Sequence, residues 1–456
     1  MFDIAKKQRF TLSTTHIILL SFLIVILFGS VLLSLPISTS SGTSVKFIDA
    51  LFTATTATCV TGLVTLPTFS TWSVFGQVVI LFLIQIGGLG VITIMSGIMI
   101  LFHKKMGIGD RILLQDAFNL NSLSGLVSFV KRIVCGTLII EGIGALLYMI
   151  VFVPEFGLWG IWISVFTSVS AFCNAGIDII AENSLCNYAL NPIINLVTSL
   201  LIILGGIGYI VWWDILRVIK QKRYKKTKLF GSLTLHSKIA IAVTLILIFA
   251  GALLILIFEY NNEKTIKNYT LLQKIEVSLF QSVTTRTAGF ASVPQENLTN
   301  ASSVLCLLLM FIGGSPVGTA GGIKTVTFAV VIASTIALVC NKDDTELFGR
   351  RISKYAVSKA TAVTCMSFII LFTSTLALTA VTNASILDIF YETVSATATV
   401  GLTRNFTASL NSIGKIIIII TMYLGRVGPI SLAVALNRKK NNQNIVRNPV
   451  EDISVG

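Results

Sequence analysis

The sequence predicts an all-α polytopic membrane protein built from four similar repeats around a pseudo-fourfold axis. Three observations lead to this fold class. Hydrophobic residues make up 54% of the 456 residues, and charged residues only 12%. The apolar residues lie in long uncharged runs. Finally, four Ser/Thr-rich segments that each end in glycine recur at nearly equal intervals along the chain.

The apolar runs have the length of membrane-spanning helices. Examples are Ile17–Leu35, Val74–Phe102, Leu190–Trp213, Ile239–Phe258 and Ala360–Leu387. A helix needs about 20 apolar residues to cross a hydrocarbon core of about 30 Å. The composition therefore excludes a soluble enzyme, a disordered scaffold and a free nucleic-acid-binding protein.

The net charge of +14 is concentrated in short basic segments between and beyond the apolar runs. The densest is Lys220–Lys228, and others contain Lys6, Lys104, Arg350 and Arg438. Because cytoplasmic loops of membrane proteins are rich in Lys and Arg, we expect these segments and both chain termini in the cytoplasm. Topology and contact with the anionic lipid bilayer explain the charge, and we expect no nucleic-acid partner.

Four segments of the chain align with one another without gaps. They are FTATTATCVTG (52–62), FTSVSAFCNAG (166–176), LFQSVTTRTAG (279–289) and YETVSATATVG (391–401). Their closing glycines, Gly62, Gly176, Gly289 and Gly401, are separated by 114, 113 and 112 residues. Such regular spacing indicates an internal fourfold repeat, which divides the chain into 1–104, 105–219, 220–341 and 342–456.

Each repeat has the same order of parts: a long apolar helix, a short amphipathic stretch, the Ser/Thr–Gly segment and a second long apolar helix. We predict these parts at 15–36, 46–57, 58–62 and 73–102 in repeat 1, and at 132–153, 159–171, 172–176 and 190–217 in repeat 2. In repeat 3 they fall at 238–260, 273–284, 285–289 and 302–338, and in repeat 4 at 354–380, 386–396, 397–401 and 411–437. The basic segments between repeats place every glycine segment near the outer face.

The short amphipathic stretches cannot cross the membrane. A helix of about 11 residues spans only about 16 Å, roughly half of the hydrocarbon core. The chain must then return, and irregular backbone at that depth is tolerated only where it is buried or lines a watery cavity. Four M1–pore loop–M2 repeats around a pseudo-fourfold central pore provide that cavity. Four full spans with unrelated loops would not explain the repeated Ser/Thr–Gly endings.

The glycine segments have the composition of a cation filter. Glycine accepts conformations that turn backbone carbonyls inward, and rings of carbonyls can replace the hydration shell of an ion. The closing five residues of each segment, 58–62, 172–176, 285–289 and 397–401, contain no carboxylate, which favours a weakly hydrated monovalent cation such as K⁺ over Ca²⁺ or Mg²⁺. The predicted ligands are the backbones of Thr58, Cys59, Val60, Thr61, Gly62, Phe172, Cys173, Asn174, Ala175, Gly176, Thr285, Arg286, Thr287, Ala288, Gly289, Thr397, Ala398, Thr399, Val400 and Gly401.

The chain resembles the KtrB family, the membrane subunits of Ktr potassium uptake systems within the Trk/Ktr/HKT superfamily. The resemblance covers almost the whole chain and rests on TATCVTG, SAFCNAG, TTRTAGF and TATVGL, with GGSPVGTAGGIKT (313–325) and YLGRVGP (423–429). It implies that potassium is bound at the four filter glycines. In some plant relatives a serine replaces the first of these glycines and sodium passes, whereas this chain has Gly62.

An apolar run of repeat 3 is interrupted by glycine and proline. The interruption contains Gly313, Gly314, Ser315, Pro316, Gly318, Thr319, Gly321, Gly322 and Lys324. Helix is disfavoured there and lipid-exposed loop is forbidden, so we expect the segment to border the pore. A kink that serves packing is the alternative. The resemblance implies an intramembrane loop that closes the path below the filter and acts as a gate.

A charged residue, Arg426, lies within the second helix of repeat 4. A charge at such depth costs at least a few kcal/mol unless it faces water or an acid. The resemblance implies that Arg426 faces the pore beneath the filter, where it would oppose cations. The alternative is a structural pair with Glu141, the acid that we place within a span. Lys324 has a stem long enough to reach the cytoplasmic edge.

Two further arginines, Arg286 and Arg404, adjoin the third and fourth filters. Five acids are near them on the outer side: Asp178, Glu182, Glu276, Asp388 and Glu392. Both arginines could repel incoming cations. We expect instead that Arg286 pairs with one of these acids.

The sequence and the resemblance together predict a gated potassium translocator, with a sodium-permeable or TrkH-type translocator as the alternative. An intramembrane enzyme is disfavoured because HExxH, GxSxG and P-loop motifs are absent, and a non-conducting scaffold would not need four matched filters. We expect no covalent cofactor; potassium is the substrate, and sodium is a candidate activator.

The resemblance also implies a setting and partners. It implies a multi-pass protein of the bacterial cell membrane that forms a homodimer. It further implies a cytoplasmic regulatory ring of the KtrA type, which would carry the nucleotide because this chain has no nucleotide motif. The candidate docking surfaces for that ring are Asn341–Glu346 and the basic segment Lys220–Lys228.

Overall fold

The computed structural model describes residues 14–102, 107–118, 125–181, 183–222 and 230–428. Several residues named above lie outside these ranges: Lys6, Lys104, Glu182, most of the basic segment Lys220–Lys228, Pro429 and Arg438. Within the described ranges the regular secondary structure is helical, apart from one short hairpin.

The elements follow the predicted fourfold order. Repeat 1 contains α1 (Thr14–Leu33), α2 (Phe47–Cys59), α3 (Thr68–Thr71), α4 (Val74–Leu89) and α5 (Val91–Leu101), and α6 (Ile108–Phe118) links it to repeat 2. Repeat 2 contains α7 (Leu126–Phe156), α8 (Trp159–Cys173), α9 (Pro192–Gly206) and α10 (Tyr209–Lys222). Repeat 3 contains α11 (Leu235–Glu259), α12 (Leu271–Thr284), α13 (Asn300–Phe311) and α14 (Thr325–Val339). Repeat 4 contains the strands β1 (Glu346–Leu347) and β2 (Arg350–Arg351), followed by α15 (Lys354–Val381), α16 (Ile386–Ala398) and α17 (Ser412–Val427).

The first helix of each repeat is a membrane span. In the described part of the chain, α1, α7, α11 and α15 are long and apolar enough to cross a bilayer singly. The helix α1 shows why they lie at the periphery. Its buried residues Phe22, Ile26, Gly29 and Leu33 form one stripe at helical spacing, whereas apolar side chains such as Phe28, 64% exposed, cover the rest. An apolar surface of this size is stable only against lipid or another protein.

The short helices α2, α8, α12 and α16 form the centre of the molecule. They have 13 to 15 residues, too few to cross the membrane, and their C-terminal halves are almost completely buried. The helices α2, α8 and α16 end in a residue with left-handed backbone, namely Val60, Asn174 and Thr399. Such a residue ends a helix by turning the chain away from the helix axis. We call these four elements the pore helices.

The prediction of one continuous second helix over 73–102 and over 190–217 is wrong. In repeat 1 the chain bends by 95° between α4 and α5, and in repeat 2 it bends by 94° between α9 and α10. The bends lie at Gly90, with φ +85°, and at Gly208, with φ +93°. These values belong to a left-handed region that strongly favours glycine, so each glycine permits a sharp turn within an apolar run.

The second helix of repeat 3 is interrupted, and the described part of the second helix of repeat 4 ends at the corresponding place. In repeat 3, α13 and α14 are separated by the segment 312–324, which contains the predicted gate residues. In repeat 4, α17 ends at Val427, and Gly428 has φ +91°. The remainder of the predicted helix over 411–437 lies outside the described residues. All four second helices therefore stop after 12 to 16 residues, shortly below the filters.

Candidate ion pathway

The four glycines that close the Ser/Thr-rich segments meet in one ring. A Cβ atom placed on Gly62 would lie 2.5 Å from the carbonyl oxygen of Ala175. The same relationship then passes from repeat to repeat: Gly176 against Ala288 at 2.5 Å, Gly289 against Val400 at 2.5 Å, and Gly401 against Thr61 at 2.4 Å. Each glycine thus touches the carbonyl that precedes the glycine of the next repeat. The fourth contact returns to the first repeat, so the ring is closed.

Glycine is required in this ring for two reasons. Contacts of 2.4–2.5 Å leave no room for a side chain, and the Cα of Gly401 would also be 3.1 Å from a Cβ on Gly62. In addition, the four glycines have φ between +63° and +98°. Side-chain-bearing residues adopt such values only with strain.

Each loop contains a second left-handed residue, two positions before its glycine. These residues are Val60 (φ +55°), Asn174 (+60°), Thr287 (+73°) and Thr399 (+51°). Positive φ in a residue with a side chain is uncommon and costs about 1 kcal/mol or more. Its recurrence at the same position of all four loops shows that the loops share one backbone shape, held in place by the surrounding structure.

The backbone N–H groups of the loops are bound to their own pore helices. Thr61, Ala175 and Val400 each donate to a carbonyl in the last turn of the preceding helix at 2.8 Å. The N–H of Gly62 donates to the Thr56 hydroxyl at 3.0 Å, and that of Gly401 donates to the Ser395 hydroxyl at 3.0 Å. Because the donors are directed toward the helices, carbonyl oxygens are the backbone groups left to face the axis.

Repeat 3 departs from this pattern. Val283 occupies the position that Thr56 and Ser395 hold in repeats 1 and 4, so no hydroxyl is available there. Instead the Thr284 hydroxyl donates to the carbonyl of Phe290 at 2.6 Å, and the N–H of Ala288 donates to the Thr284 carbonyl at 2.9 Å. The third loop is therefore held differently from the other three.

Several side chains of the loops are buried without a hydrogen-bond partner. Within the described residues, the hydroxyls of Thr58, Thr61, Thr287 and Thr399 and the amide of Asn174 make no hydrogen bond to protein. Buried polar groups are normally satisfied by protein, water or an ion. Unsatisfied oxygen atoms at four equivalent loops therefore fit a pathway for water and cations.

The predicted pairing of Arg286 with an outer acid is wrong. Its side chain is buried and donates to the carbonyl of Gly313 at 3.1 Å and to the hydroxyl of Thr244 at 3.4 Å. The reason is geometric, since α12 ends at Thr284 and the following turn directs Arg286 back toward α11 and the segment 312–324.

Arg404 is the arginine that pairs with an outer acid. Its Nε is 2.8 Å from the carboxylate of Asp388. Two of the other acids expected near these arginines have neutral partners: Glu276 accepts from Asn195 at 2.8 Å, and Glu392 accepts from two threonine hydroxyls. Asp178 lies just beyond the second filter, and its burial raises the pKa of the carboxyl to about 6.

Glycines of the second helices pack directly behind the filters, a feature that we did not predict. A Cβ placed on Gly87 would lie 2.0 Å from the carbonyl oxygen of Thr58. Gly205 is related in the same way to Phe172, at 1.9 Å, and Gly425 to Thr397, at 2.2 Å. The sequence signal is the recurrence of GGLG (87–90), GGIG (205–208) and GRVG (425–428) at a similar distance after Gly62, Gly176 and Gly401.

The segment 312–324 lies below the filters and is hydrogen-bonded to neighbouring repeats. We call it the intramembrane loop. The N–H of Ser315 donates to the Gly206 carbonyl at 2.8 Å, and the N–H of Thr319 donates to the Gly205 carbonyl at 3.1 Å. The Thr319 hydroxyl donates to the carbonyl of Phe172, the first residue of the second filter, at 3.1 Å. The loop is therefore attached both to the end of α9 and to a pore helix.

Arg426 reaches from α17 to two other repeats beneath the filters. Its guanidinium donates to the Thr319 carbonyl at 2.5 Å and to the carbonyl of Gly87. The alternative pair with Glu141 is wrong, because Glu141 instead accepts a hydrogen bond from Gln85 at 3.1 Å. The carbonyls at the end of α4 carry the negative end of a helix dipole, which favours a cation at this position.

Lys324 binds the same loop. Its ammonium lies 2.5 Å from the carbonyl oxygen of Ala320 and 3.5 Å from that of Gly321, so the side chain does not extend to the cytoplasmic edge. Together with Arg426 it places two cationic groups on three successive carbonyls of the intramembrane loop. Gly321 is also pressed against the fourth filter, since a Cβ placed on it would lie 2.4 Å from the Ala398 carbonyl oxygen.

Comparison with known proteins gives a consistent result. A family model described as TrkH, cation transport protein, matches residues 3–447. The potassium/sodium uptake protein NtpJ of Enterococcus hirae is 40% identical over 99% of this chain and 99% of its own length. The Ktr system potassium uptake protein B of Bacillus subtilis is 40% identical over 99% of this chain and 98% of its own length.

A solved structure shares the fold. The crystal structure of the potassium transporter TrkH from Vibrio parahaemolyticus matches with a TM-score of 0.74 at 17% sequence identity, over 95% of this chain and 86% of that chain. This likeness confirms the predicted fold class, a polytopic helical membrane protein with pore-loop repeats.

Proposed function

The chain belongs to the TrkH family of cation transport proteins, which are transporters and not enzymes, and from this premise we propose that it is the potassium-translocating subunit of a Ktr-type uptake system. The observation that carries the proposal is the closed ring of Gly62, Gly176, Gly289 and Gly401. Two relatives at 40% identity are named for uptake of potassium, or of potassium and sodium, which supports the choice of ion.

Selection in this ring would depend on backbone carbonyls. A dehydrated cation on the axis would exchange its water shell for carbonyl oxygens from four loops. K⁺ loses its water more easily than Na⁺, and the loops contain no carboxylate that would favour a divalent ion. The C-terminal ends of the four pore helices would add partial negative charge at the same place. The N–H groups of the loops are hydrogen-bonded to the pore helices. The carbonyl oxygens would therefore resist moving inward to coordinate a smaller ion.

The intramembrane loop is the proposed gate. In the described structure it lies below the filters and is bound by Arg426 and Lys324. Both cationic groups would oppose a cation leaving the filter toward the cytoplasm. Opening would require the loop to release the Arg426–Thr319 contact and the bond from the Thr319 hydroxyl to Phe172. These contacts support the gate over a mere packing kink, because packing alone would not place two positive charges across the path.

A partner would supply the stimulus for opening. We propose a cytoplasmic nucleotide-binding ring of the KtrA type, with the nucleotide bound by the ring, and a homodimeric membrane subunit with its termini in the cytoplasm of a bacterium. The candidate docking surface 341–346 leads into the hairpin of β1 and β2, which follows α14, the helix that begins where the intramembrane loop ends. Movement imposed on α14 would reach the loop directly. The second surface, Lys220–Lys228, lies mostly outside the described residues.

A sodium-permeable translocator is the alternative function. The observation that favours it is the name of the Enterococcus hirae relative, a potassium/sodium uptake protein. The two functions differ in one measurable quantity, the ratio of K⁺ to Na⁺ flux. In a third case, sodium would activate potassium transport without passing through the ring of filter glycines.

The deciding experiment is transport by the purified protein in liposomes. Uptake of ⁸⁶Rb⁺, as a potassium tracer, would be measured in competition with K⁺ and with Na⁺. We expect competition by K⁺ at far lower concentration than by Na⁺. Equal competition would favour the sodium-permeable alternative. Absence of cation flux, both with and without a candidate KtrA-type partner protein, would refute the proposed function. Rescue of a potassium-uptake-deficient strain on low potassium provides an independent readout.

A further inference from the structure

Each second helix carries, as its fourth residue, a polar side chain that points toward the pore helix of the next repeat. These residues are Gln77 in α4, Asn195 in α9, Ser303 in α13 and Lys415 in α17. In every case the second helix packs against that same pore helix: α4 on α8, α9 on α12, α13 on α16 and α17 on α2. The residues differ in chemistry but occupy equivalent positions.

The first two contacts join neutral amides to the pore helices. The indole N–H of Trp162, near the start of α8, donates to Gln77 Oε1 at 2.8 Å. The side-chain amide of Asn195 donates to Glu276, the sixth residue of α12, at 2.8 Å. Both Gln77 and Asn195 are buried, at 4% and 3% exposure, and each also donates to a backbone carbonyl just before its own helix. The side chain of each of these two residues is therefore bound both to the pore helix and to the backbone before its own helix.

The third contact is made through an arginine. Arg404 donates to the Ser303 hydroxyl at 2.8 Å, while its Nε lies 2.8 Å from Asp388, the third residue of α16. A further hydrogen bond joins repeats 3 and 4, because the hydroxyl of Tyr391 donates to the side chain of Gln295 at 3.0 Å. The helix α16 is thus fastened near its start to repeat 3.

The fourth contact closes the circle. The ammonium of Lys415 lies 2.5 Å from Asp49 Oδ1, and Asp49 is the third residue of α2. Both side chains are largely shielded, with exposures of 15% and 9%. Repeats 1 and 4 are not consecutive in the chain, so side-chain and packing contacts alone must hold this seam. Loss of one partner of a shielded ion pair is costly, because the other charge is then left buried and uncompensated.

We infer that these four contacts form a hoop that holds the outer ends of the pore helices and thereby sets the spacing of the filter glycines. The inference rests on the proposed function, selection of K⁺ by the ring. Each pore helix is a short rod of about 20 Å, so displacement at its start is transmitted to the loop at its end. The glycine ring has contacts as short as 2.4 Å, so small displacements alter it. Lys415, Asp49, Gln77 and Trp162 are positioning residues that act on the ion through the filter.

The test is a double-mutant cycle at the Lys415–Asp49 contact, which joins repeats 4 and 1. Lys415→Met and Asp49→Asn each remove one charge, and the double variant removes both. We expect each single variant to lower the K⁺ over Na⁺ preference by about three- to tenfold, and the double variant to be no worse than the single ones, since coupled residues are not additive. Lys415→Arg retains the charge and should retain most of the preference.

Two controls separate the hoop from general destabilisation. Lys267→Met breaks an exposed ion pair with Glu263, outside the ring, and should leave the preference unchanged. Trp162→Phe breaks the neutral contact to Gln77 and should lower the preference without any change in charge. A loss of thermal stability in the hoop variants with unaltered K⁺ over Na⁺ preference would overturn the inference, as would additive effects of the two substitutions at the closing seam.

A second readout keeps the inference separate from the proposed function. Cations bound in the filter stabilise the folded protein, so the midpoint concentrations of K⁺ and Na⁺ that raise its Tm in detergent can be measured for every variant. If the wild-type protein transports no K⁺, the proposed function fails. The hoop would then be judged on these midpoints alone. A ratio of K⁺ to Na⁺ midpoints that differs between the variants and the wild-type protein supports the hoop, and unchanged midpoints in all the variants refute it.

Discussion

The guanidinium of Arg426 and the carbonyl oxygen of Thr319 are 2.5 Å apart, although 107 residues separate them in the chain. This contact joins the second helix of repeat 4 to the intramembrane loop of repeat 3 directly beneath the filters. Arg426 also donates to the end of α4 in repeat 1. One side chain therefore connects three of the four repeats at the level where a cation would leave the filter.

Replacement of Arg426 tests whether this contact restrains flux. We expect Arg426→Met to raise K⁺ flux severalfold in liposomes, because it removes both the positive charge and the bond to the intramembrane loop. Arg426→Lys should have an intermediate effect, since an ammonium cannot serve two separated carbonyls as a guanidinium does. Flux equal to or below that of the wild-type protein in folded Arg426→Met would contradict a restraining role.

Shortening the intramembrane loop tests the gate as a whole. Removal of residues from Gly313–Gly322 should raise flux and weaken its dependence on a regulatory partner, because the shortened segment could no longer cover the path. The measurement is ⁸⁶Rb⁺ uptake with and without the candidate ring. If the variant folds and its flux is unaltered or lower, the segment is a packing kink.

The first filter is tested by Gly62→Ser. The new Cβ would lie 2.5 Å from the Ala175 carbonyl, and serine is strained at φ +98°. We expect the K⁺ over Na⁺ preference to fall about tenfold, equivalent to about 1.4 kcal/mol. Gly42→Ser is the matched control, since Gly42 also has positive φ but nothing lies within 4 Å of its Cβ position. An unchanged preference in Gly62→Ser would refute this filter assignment.

The glycines behind the filters make a prediction about stability. Gly205→Ala would place a methyl group 1.9 Å from the Phe172 carbonyl oxygen, and we expect a loss of about 1–3 kcal/mol, seen as a lower Tm. Gly142→Ala in α7 is the control. Nothing lies within 4 Å of that Cβ position, so alanine should be neutral or stabilising. Equal Tm values for the two variants would show that the close approach of α9 to the filter is not needed.

The proposed partner can be tested by co-purification. We expect the chain to bind a KtrA-type ring, and K⁺ flux to differ between ATP and ADP. A partner can shift the gate only by its difference in affinity for the open and closed states. Substitution of Asp343 and Asp344 by Asn should weaken the complex if the 341–346 surface contributes. Nucleotide-independent flux, with no complex even at low salt, would refute the partnership.

The sequence predicted the first helix and the short helix of each repeat close to their observed bounds, because two independent signals coincide there. Apolar length identifies the long helices, and the repeated distance between Gly62, Gly176, Gly289 and Gly401 identifies the loops that meet in the glycine ring. The bends at Gly90 and Gly208 were missed because apolar residues continue on both sides of each glycine. Hydropathy reports burial in lipid, and it contains no information on the direction of the chain.

The partners of the buried arginines were also beyond the reach of the sequence. Arg286 was expected on the outer side because it lies within the filter segment, but the turn after α12 directs it to Gly313. Glu141 was the candidate acid for Arg426, yet Arg426 donates to backbone carbonyls of other repeats. Backbone acceptors have no signature in a sequence, so a cation bound by carbonyls cannot be paired by searching for acids.

Within the residues that the structure describes, a loop of this length inside a second helix occurs in repeat 3 alone, which has a consequence for how opening would depend on a stimulus. In a pore made of four identical subunits a closing element exists in four copies, and opening requires their concerted or stepwise release. If the proposed gate is correct, a single polypeptide segment makes the transition in each pore. We expect opening to be a one-step event, so single-channel records should show one conducting level per pore, and two equal levels for the proposed homodimer, without smaller sublevels. The steepness of any response would then come from the partner rather than from the pore.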